Sequence, residues 1–317
     1  MSVLQNKSVA VLLAMYNGEK YILEQLQSLL DQTYHISKVF IGDDGSTDNS
    51  FELVDKFIIE NNLSGHWFLI RNEKNLGHAG NFINLCKYVQ EDYVFFCDQD
   101  DIWMNDKVER MVAVMEENSA INLLYADVIN FRRIKGKNIY SSDYSNDGKV
   151  EKLPFSYTNY FFKGGGCGTC IRGGFISQMV QYWTKGWEHD MFFWACAILT
   201  DSGYKFNHPV IYRRLHECNA SIKDKKTLEK RRRQVDQTVK RPDSLIKLVK
   251  DNNIKDKDKL EFIKGYKKSL LRRQRALTKR NLLILLPLFF GGSQYYLKGV
   301  KGLLLDAYLI IFKEYKG

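Results

Sequence analysis

The sequence contains little proline and no long apolar run, and its first residues do not show the pattern expected of a secretory leader. Only four of its 317 residues are proline, which argues against long disordered linkers. Residues 1–7 lack the charged start and the apolar stretch of a signal peptide, and the apolar run Val9–Met15 is too short to cross a bilayer. We therefore expect a cytoplasmic protein whose six cysteines are reduced thiols.

Motifs of two common nucleotide-binding folds are also missing. The sequence has no Gly-x-Gly-x-x-Gly and no Gly-Lys-Ser/Thr motif, which argues against a Rossmann dinucleotide site and against a P-loop. Cys167 and Cys170 have the Cys-x-x-Cys spacing of a redox pair or of half a zinc site, but no second such pair exists. Redox and zinc functions are therefore minor alternatives.

Acidic residues are scarce in the last third of the chain. Residues 221–317 contain 26 Lys and Arg against 10 Asp and Glu, a net charge of +16, whereas residues 1–220 carry a net charge of −6. A basic block of this size usually contacts a polyanion, either nucleic acid or an anionic membrane surface. With 44% hydrophobic residues the chain can bury a substantial core, and its length fits one large domain or two.

Short apolar runs alternate with amphipathic helical patterns in the first part of the chain. The predicted strands lie near Val9–Met15, Lys38–Ile41, Trp67–Ile70, Tyr93–Cys97 and Asn122–Ala126. The predicted helical faces are formed by Ile22, Leu26, Leu29 and Leu30, by Phe51, Val54 and Ile58, by Phe82, Cys86 and Val89, and by Val108, Met111, Val112 and Met115. This alternation predicts an α/β fold with a mostly parallel central sheet, in which ligands bind beyond the carboxyl ends of the strands.

A carboxylate cluster follows the fourth predicted strand. Asp98, Asp100 and Asp101 stand within four residues, directly after a buried apolar run. Such carboxylates repel one another unless a cation is bound, and the hard ions Mg²⁺ and Mn²⁺ prefer oxygen ligands, which they often share with phosphates. The cluster predicts a diphosphate ligand bound through Mn²⁺ or Mg²⁺. The alternative is a solvated acidic turn in which Asp101 caps a helix starting near Asn105.

Polar segments also follow the first two predicted strands. The segment 16–19 follows the first strand, and the segment 42–46, which contains Asp43 and Asp44, follows the second. Carboxylates accept hydrogen bonds from a pyrimidine N–H and from ribose hydroxyls, while Gly42 and Gly45 allow close backbone approach. In the alternative, Asp44 caps a helix at Asp48.

Four segments in order resemble a bacterial family-2 glycosyltransferase with the A-type nucleotide-sugar fold. They are VAVLLAMYNGEKYI, IGDDGSTDNS, NEKNLGHAGNF and YVFFCDQDDIW, and the resemblance covers roughly residues 8 to 220. It implies that Asp43 and Asp44 contact the base or ribose, that Asp98 contacts the ribose or the donor sugar, and that Asp100 binds the metal. The donor-binding residues implied are Tyr16, Asn17, Glu19, Asp43, Asp44, Asn75, Gly77, Asp98, Gln99 and Arg213.

The second half of the site is expected farther along the chain. Segment 164–170 is too glycine-rich for a regular strand and predicts a tight bend or a backbone that approaches a ligand; the family has a similar turn beside the sugar, here with Gly168 inserted. Asp190 precedes a very apolar stretch, and partial desolvation there suits a general base, although a helix N-cap is the alternative. The resemblance favours Asp190 as the base, with Glu188 as the second choice.

A final motif, Tyr212–Asn219, ends the resembling region. In similar enzymes a Tyr-Arg pair followed by His supplies a further metal ligand, which implies His216 here, one position later than the family pattern. Arg213 and Arg214 are candidates for pairing with phosphate oxygens.

Residues 221–317 form a basic helical region, with a helix break predicted at Pro242. The later apolar stretches are shorter than the roughly twenty residues that span a bilayer. Basic clusters beside aromatic-rich amphipathic helices predict a membrane-associating region in which Phe289, Phe290, Tyr295 and Tyr296 insert at the headgroups. The alternative is a helical extension packed on the protein. The predicted domains are therefore residues 1–220, catalytic, and residues 221–317, membrane-associating.

These patterns together predict a metal-dependent inverting glycosyltransferase, peripheral on the inner face of a bacterial plasma membrane. Its donor would be dTDP-rhamnose or a UDP-hexose, and its acceptor a lipid-linked saccharide of capsule or cell-wall synthesis; self-association as a homo-oligomer stays open. Two other classes remain, a nucleotidyltransferase and a basic nucleic-acid-binding protein. The first should show a basic triphosphate loop near the first strand, where Glu19 is acidic, and in the second the body's carboxylates would repel phosphates, so we expect no nucleic-acid partner.

Overall fold

The computed structural model describes residues 7–134, 136–161, 164–216, 226–296, 299–312 and 314–315. The chain forms two compact units. Unit 1 comprises Met1–Pro154, Phe162–Gln181 and Glu188–Asn219, and unit 2 comprises Phe155–Phe161, Tyr182–Trp187 and Ala220–Gly317. Two short segments from within residues 1–220 belong to unit 2, whose longest segment begins at Ala220.

Unit 1 is built on one mixed sheet. Its strands are β1 (Val9–Met15), β2 (Lys38–Asp43), β3 (Trp67–Arg71), β4 (Tyr93–Asp98), β5 (Ile102–Trp103), β6 (Leu123–Ile134), β7 (Lys137–Tyr140), β8 (Val150–Lys152), β9 (Thr169–Arg172) and β10 (Gly203–Arg214). The main order is β3-β2-β1-β4-β9-β6-β10-β5, with β7 beside β6 and β8 beside β10. Neighbours from β3 to β4 are parallel, as are β6 and β10, whereas β9 is antiparallel to both of its neighbours.

The helices of unit 1 are α1 (Ile22–Leu30), α2 (Ser50–Glu60), α3 (His78–Leu85), α4 (Lys107–Glu117), α5 (Gly173–Met179) and α6 (His189–Leu199). All five predicted strands are confirmed as β1, β2, β3, β4 and the start of β6. β1 and β4 are buried along almost their whole length, as central parallel strands are. The predicted helical faces are also buried, except that Leu30 is exposed and Phe51 is half-buried.

Unit 2 is helical. Its helices are α7 (Leu228–Thr238), α8 (Arg241–Asp251), α9 (Lys257–Lys279), α10 (Leu286–Phe289) and α11 (Gly299–Phe312), and a short strand pair joins β11 (Lys226–Thr227) to β12 (Glu314–Tyr315). Pro242 lies in the first turn of α8, where its missing N–H costs nothing, so the predicted break is confirmed. Leu277, Leu303 and Leu309 contribute to a core shared by α9 and α11.

The prediction that Tyr295 and Tyr296 insert at the membrane headgroups is wrong. Tyr296 is buried, and Tyr295 packs its ring against Phe262 of α9, because both belong to the interior packing of unit 2. Phe290, in contrast, is 89% exposed. Among the helices of the described residues, none has the length and apolarity needed to cross a membrane.

Candidate active site

The loops after β1 and β2 are joined by hydrogen bonds. Thr47 donates its backbone N–H to Asn17 Oδ1 over 2.8 Å, and Asn49 donates its backbone N–H to Glu19 Oε2 over 3.0 Å. Gln99, after β4, binds both backbone groups of Tyr16. Asn17, Glu19 and Gln99 were predicted to bind the donor, and their side chains instead hydrogen-bond to the backbone of neighbouring loops at the rim of the site. Tyr16 is 49% exposed.

Asp43 and Asp44 are both buried at the end of β2. Asp43 accepts a hydrogen bond from Arg71 Nε over 3.0 Å and another from the Ser46 backbone N–H over 3.1 Å. Asp44 accepts the backbone N–H groups of Leu76 and Gly77 over 2.7 and 2.8 Å. The structure therefore gives Asp44 the role of holding the 72–77 loop, and the alternative that it caps a helix at Asp48 is wrong.

Asn75 and Gly77 belong to that loop. Asn75 Nδ2 donates to the Asp44 carbonyl oxygen over 3.0 Å, and Gly77 has φ +76°, a left-handed conformation that favours glycine. Gly42 has a different reason for being glycine than the one predicted. A Cβ there would lie 2.3 Å from Asn81 Oδ1, so the small residue makes room for a protein side chain and not for a ligand.

The predicted carboxylate cluster lies where β4 ends. Asp98 accepts a hydrogen bond from His78 Nε2 over 3.0 Å. Burial raises the Asp98 pKa, but this bond together with the charges of His78, His189 and Arg213 lowers it overall. Asp101 is buried, its Oδ1 accepts the Arg214 backbone N–H over 2.9 Å, and its Oδ2 has no hydrogen-bond partner among the described residues. Burial and then the charges of Asp98 and Asp100 raise the Asp101 pKa well above its usual range. The alternative that Asp101 caps a helix is wrong.

His216 reaches the cluster from beyond β10. Its Nε2 lies 2.6 Å from Asp100 Oδ2, and both side chains are mostly buried. Burial and the neighbouring Asp98 raise the Asp100 pKa, because both disfavour the ionised carboxylate. The other residues of the motif, 217–219, lie outside the described residues.

The donor set at this edge fits a hard divalent ion. Carboxylate oxygens of Asp98, Asp101 and the thiol of Cys167 lie within 4.8 Å of one another, close to the Asp100–His216 pair. A thiol is a poor ligand for Mg²⁺ or Mn²⁺, whereas carboxylate oxygens suit both, so Asp100 fits such an ion better than Cys167 does. The imidazole of His216 suits Mn²⁺ better than the harder Mg²⁺. The orphaned oxygen of buried Asp101 is a second sign that positive charge belongs here.

Glu188, His189 and Asp190 lie at the start of α6. Glu188 is the N-cap residue, so Asp190 stands in the first turn, and the alternative that Asp190 is the cap is wrong. Burial raises the Asp190 pKa to about 6, although its Oδ1 accepts the Met191 backbone N–H over 2.7 Å. His189 is buried against Phe82, and neither of its ring nitrogens has a hydrogen-bond partner among the described residues.

The glycine-rich segment forms a tight bend packed on these residues. A 3-10 turn at Gly166–Gly168 precedes β9, and a Cβ on Gly166 would lie 3.0 Å from His189 Nε2 and from the Asp190 Cβ. Gly166 therefore makes room for α6, while a Cβ on Gly168 would lie 2.7 Å from the Ala126 carbonyl oxygen of β6. Cys167 and Cys170 are buried free thiols, as are Cys86, Cys97 and Cys196, while Cys218 lies outside the described residues.

Several residues of the site were not predicted. His78 connects Asp98 with Glu188, Arg71 pairs with Asp43, and buried Lys107 donates to the Cys167 carbonyl oxygen over 2.5 Å.

The two arginines predicted to pair with phosphate oxygens both bind protein groups. Arg214 Nε donates to the Asp100 carbonyl oxygen over 2.9 Å, so Arg214 helps to hold the cluster together. Arg213 donates from Nε to Asn130 Oδ1 over 2.8 Å.

Comparison with known proteins decides the family. Residues 10–178 match the sequence model described as Glycosyl transferase family 2. The chain belongs to this family. Family membership decides between the glycosyltransferase and the nucleotidyltransferase in favour of the former.

Similar proteins agree with this family. The chain is 29% identical to the dTDP-rhamnosyl transferase RfbG of Shigella flexneri over 65% of the chain and 72% of that protein. It is 31% identical to the Escherichia coli enzyme WfgD, a UDP-Glc:alpha-D-GlcNAc-diphosphoundecaprenol beta-1,3-glucosyltransferase, over 41% of the chain and 49% of WfgD. The match therefore spans about half the length of WfgD but 72% of RfbG.

Solved structures support the A-type fold. S. aureus TarS 1-349 in complex with UDP-GlcNAc aligns with a TM-score of 0.60 over 85% of this chain and 72% of that chain, at 18% identity. The same protein in complex with UDP aligns with a TM-score of 0.53 over 94% of this chain and 90% of that chain, at 16% identity. The fold prediction is confirmed: the sheet and its flanking helices form an A-type glycosyltransferase fold, and a helical C-terminal region follows.

Proposed function

We propose that the protein is an inverting glycosyltransferase that moves one sugar from a nucleoside diphosphate to a lipid-linked saccharide. The observation that carries this proposal is the position of Asp190, a carboxylate with a pKa of about 6, in the first turn of α6 beside the carboxylate edge of the sheet. A base of that strength is ionised near pH 7 and still accepts a proton readily.

The proposed mechanism is a single displacement. Asp190 takes the proton of the acceptor hydroxyl, and that oxygen forms a bond to the anomeric carbon as the bond from this carbon to the diphosphate breaks. The electron pair of the broken bond leaves with the nucleoside diphosphate, and the configuration at the anomeric carbon inverts. Asp98 binds the donor sugar or ribose, and the exposed Tyr16 ring faces the solvent at the rim, where a base can stack on it.

We assign the metal to Asp100 and His216. A divalent ion bound there would neutralise the negative charge that develops on the diphosphate. Asp101 stays behind these two ligands, where it fixes the backbone of Arg214. Arg214 in turn donates to the Asp100 carbonyl oxygen, so the β10 end and the β4 end stay in register.

The relatives support the choice of substrates. RfbG is named for dTDP-rhamnose, WfgD for UDP-glucose and a diphosphoundecaprenol acceptor, and TarS was solved with UDP-GlcNAc. We therefore propose dTDP-rhamnose or a UDP-hexose as the donor, and a lipid-linked saccharide of capsule or cell-wall synthesis as the acceptor.

One face of α11 is suited to contact with a membrane surface, where a lipid-linked acceptor would lie. Val300, Leu304, Tyr308 and Ile311 recur at helical spacing and are all exposed, whereas Leu303 and Leu309 on the other face belong to the core of unit 2. We name the four exposed residues the α11 stripe. Beside a region of net charge +16, this stripe fits an anionic membrane surface, so we propose peripheral binding at the inner face of the plasma membrane.

The proposed function is tested by donor binding followed by product analysis. Thermal unfolding is measured with dTDP-rhamnose, UDP-glucose, UDP-galactose and UDP-GlcNAc, each with and without Mn²⁺, because specific binding raises the unfolding temperature. The stabilising donor is then supplied with a synthetic diphospholipid-linked GlcNAc, and the anomeric configuration of the product is read by NMR. Retained configuration would reject the single displacement, and no stabilisation by any donor would reject the donor class.

A further inference from the structure

His78 links the two halves of the candidate active site. Its Nε2 lies 3.0 Å from Asp98 Oδ1 at the end of β4, and its Nδ1 lies 4.0 Å from Glu188 Oε2 at the N-cap of α6. The ring also contacts His189 edge-on, with 5.3 Å between centroids. One side chain thus contacts both the carboxylate assigned to the donor and the segment that carries the base Asp190.

The backbone before His78 is held in place from the next loop. Gly77 is in a left-handed conformation, and both oxygens of buried Asp44 bind the N–H groups of Leu76 and Gly77. His78 is the first residue of α3, and its ring packs edge-on against Phe82 one turn later. These contacts determine the direction in which the imidazole leaves the backbone.

From this geometry we infer that His78 is a positioning residue, which orients Asp98 toward the donor and ties that carboxylate to the start of α6. The inference rests on the proposed function, because it takes Asp98 to contact the donor. His78 acts through Asp98 and is not itself assigned a proton-transfer step.

The exposure of the pair argues against a purely structural role. The His78 side chain is 44% exposed and that of Asp98 is 33% exposed. Ion pairs with this much solvent contact contribute little to stability, because water competes with both partners. Loss of the imidazole should therefore leave the fold intact while changing how Asp98 is presented.

Two variants separate the hydrogen bond from the packing. His78→Phe keeps a ring against Phe82 and removes the donor to Asp98, whereas His78→Gln places an amide nitrogen near the position of Nε2. We expect His78→Phe to lower kcat/KM for the nucleotide sugar by about tenfold, mainly through the donor KM, and His78→Gln to stay within about threefold of wild type. Both variants should stay folded, with unfolding temperatures within about 4 °C of wild type, because a partly exposed pair contributes about 1 kcal/mol or less.

A double-mutant cycle tests whether His78 acts through Asp98. In the Asp98→Asn background, His78→Phe should lower kcat/KM by less than about twofold, because the interaction is already lost. The matched control is His35→Phe, which changes an exposed histidine that precedes β2, at the edge of the sheet opposite the site.

Different results contradict different claims. Wild-type kinetics in His78→Phe, an equal loss in His78→Gln, or additive losses with Asp98→Asn would each overturn the positioning role while leaving the glycosyltransferase proposal in place. A wild-type protein that neither binds nor turns over any nucleotide sugar would overturn the proposed function and this inference together.

Discussion

Asp190 changes its protonation state close to physiological pH, since burial raises its pKa to about 6. An amide at this position keeps the shape but cannot take a proton, so Asp190→Asn should bind donor nearly as well as wild type while transfer falls about a hundredfold or more. Wild-type transfer should fall as the pH drops below about 6, because the base becomes protonated. Initial rates across pH 5–8 and donor calorimetry measure both effects.

Glu188→Gln provides the comparison for that experiment. Glu188 is an exposed N-cap residue whose side chain faces His78, so its amide variant should retain most activity and the same pH profile. If Glu188→Gln loses transfer and Asp190→Asn retains it, the base is Glu188.

The ionised form of Asp190 should also destabilise the folded protein at neutral pH. A carboxyl whose folded pKa lies above its usual value of 3.8 binds its proton more tightly in the folded state, so ionisation destabilises the fold. That loss begins as the pH rises through about 4 and is complete above about 6. Asp190→Asn should therefore be more stable than wild type at pH 8, by at most roughly 3 kcal/mol, and the difference should disappear below about pH 4. Urea unfolding at both pH values measures it, and a less stable Asp190→Asn at pH 8 would contradict this account.

Asp100 carries the prediction for the metal. Asp100→Asn should abolish turnover and remove the Mn²⁺-dependent part of UDP or dTDP binding, because an amide oxygen ligates a divalent ion more weakly than a carboxylate. Calorimetry with nucleotide, with and without Mn²⁺, is the measurement. Asp147→Asn makes the same chemical change at an exposed residue and should bind as wild type does. If the Mn²⁺ dependence persists in Asp100→Asn, Asp100 does not bind the metal, and the carboxylate cluster is better explained as a solvated acidic turn.

At the scale of elements, α7, α9 and α11 are joined by a buried ionic cluster. Asp306 of α11 is fully buried and pairs with Arg231 Nε over 2.6 Å and with Arg273 Nε over 2.5 Å. Asp306→Asn would leave two guanidinium groups without a counter-charge and should lower the free energy of unfolding by about 3–5 kcal/mol.

A matched variant serves as the control for that measurement. Asp236→Asn on α7 removes an exposed carboxylate whose partner is Gln274, so it should change stability by less than about 0.5 kcal/mol. Equal unfolding midpoints in urea for Asp306→Asn and Asp236→Asn would show that the buried cluster contributes nothing.

An element could be predicted from the sequence where the pattern that determines it lies within the element itself, and not where distant residues determine its contacts. β1 and β4 were predictable because a buried parallel strand is apolar at every position. The contacts of Asp44 were not, because its partners, residues 76 and 77, lie more than thirty positions away and offer only backbone N–H groups. Segment 155–161 was missed for the same reason: Tyr160 packs on Phe262 about a hundred residues later.

At the scale of the whole molecule, the last third of the chain differs in charge from the rest. Residues 221–317 carry the net charge of +16, and α11 presents apolar residues on both of its faces. Truncation before α11 would remove Asp306 and Leu303 from the core of unit 2, so loss of vesicle binding by such a protein could reflect misfolding. Substitutions confined to the α11 stripe avoid this problem.

Leu304→Asn with Ile311→Asn therefore tests membrane binding without changing the charge. Wild type should sediment with phosphatidylglycerol vesicles but not with phosphatidylcholine vesicles, and 0.5 M salt should weaken the binding by screening the basic region. The double variant should bind several-fold less at every salt concentration, because two exposed apolar side chains no longer enter the headgroup layer. Ile59→Asn on α2, a 61% exposed residue of the catalytic unit, is the matched control and should sediment as wild type does. Transfer to a soluble acceptor should persist in the double variant while transfer to a vesicle-bound acceptor falls; wild-type sedimentation by the double variant would place the membrane contact elsewhere or remove it.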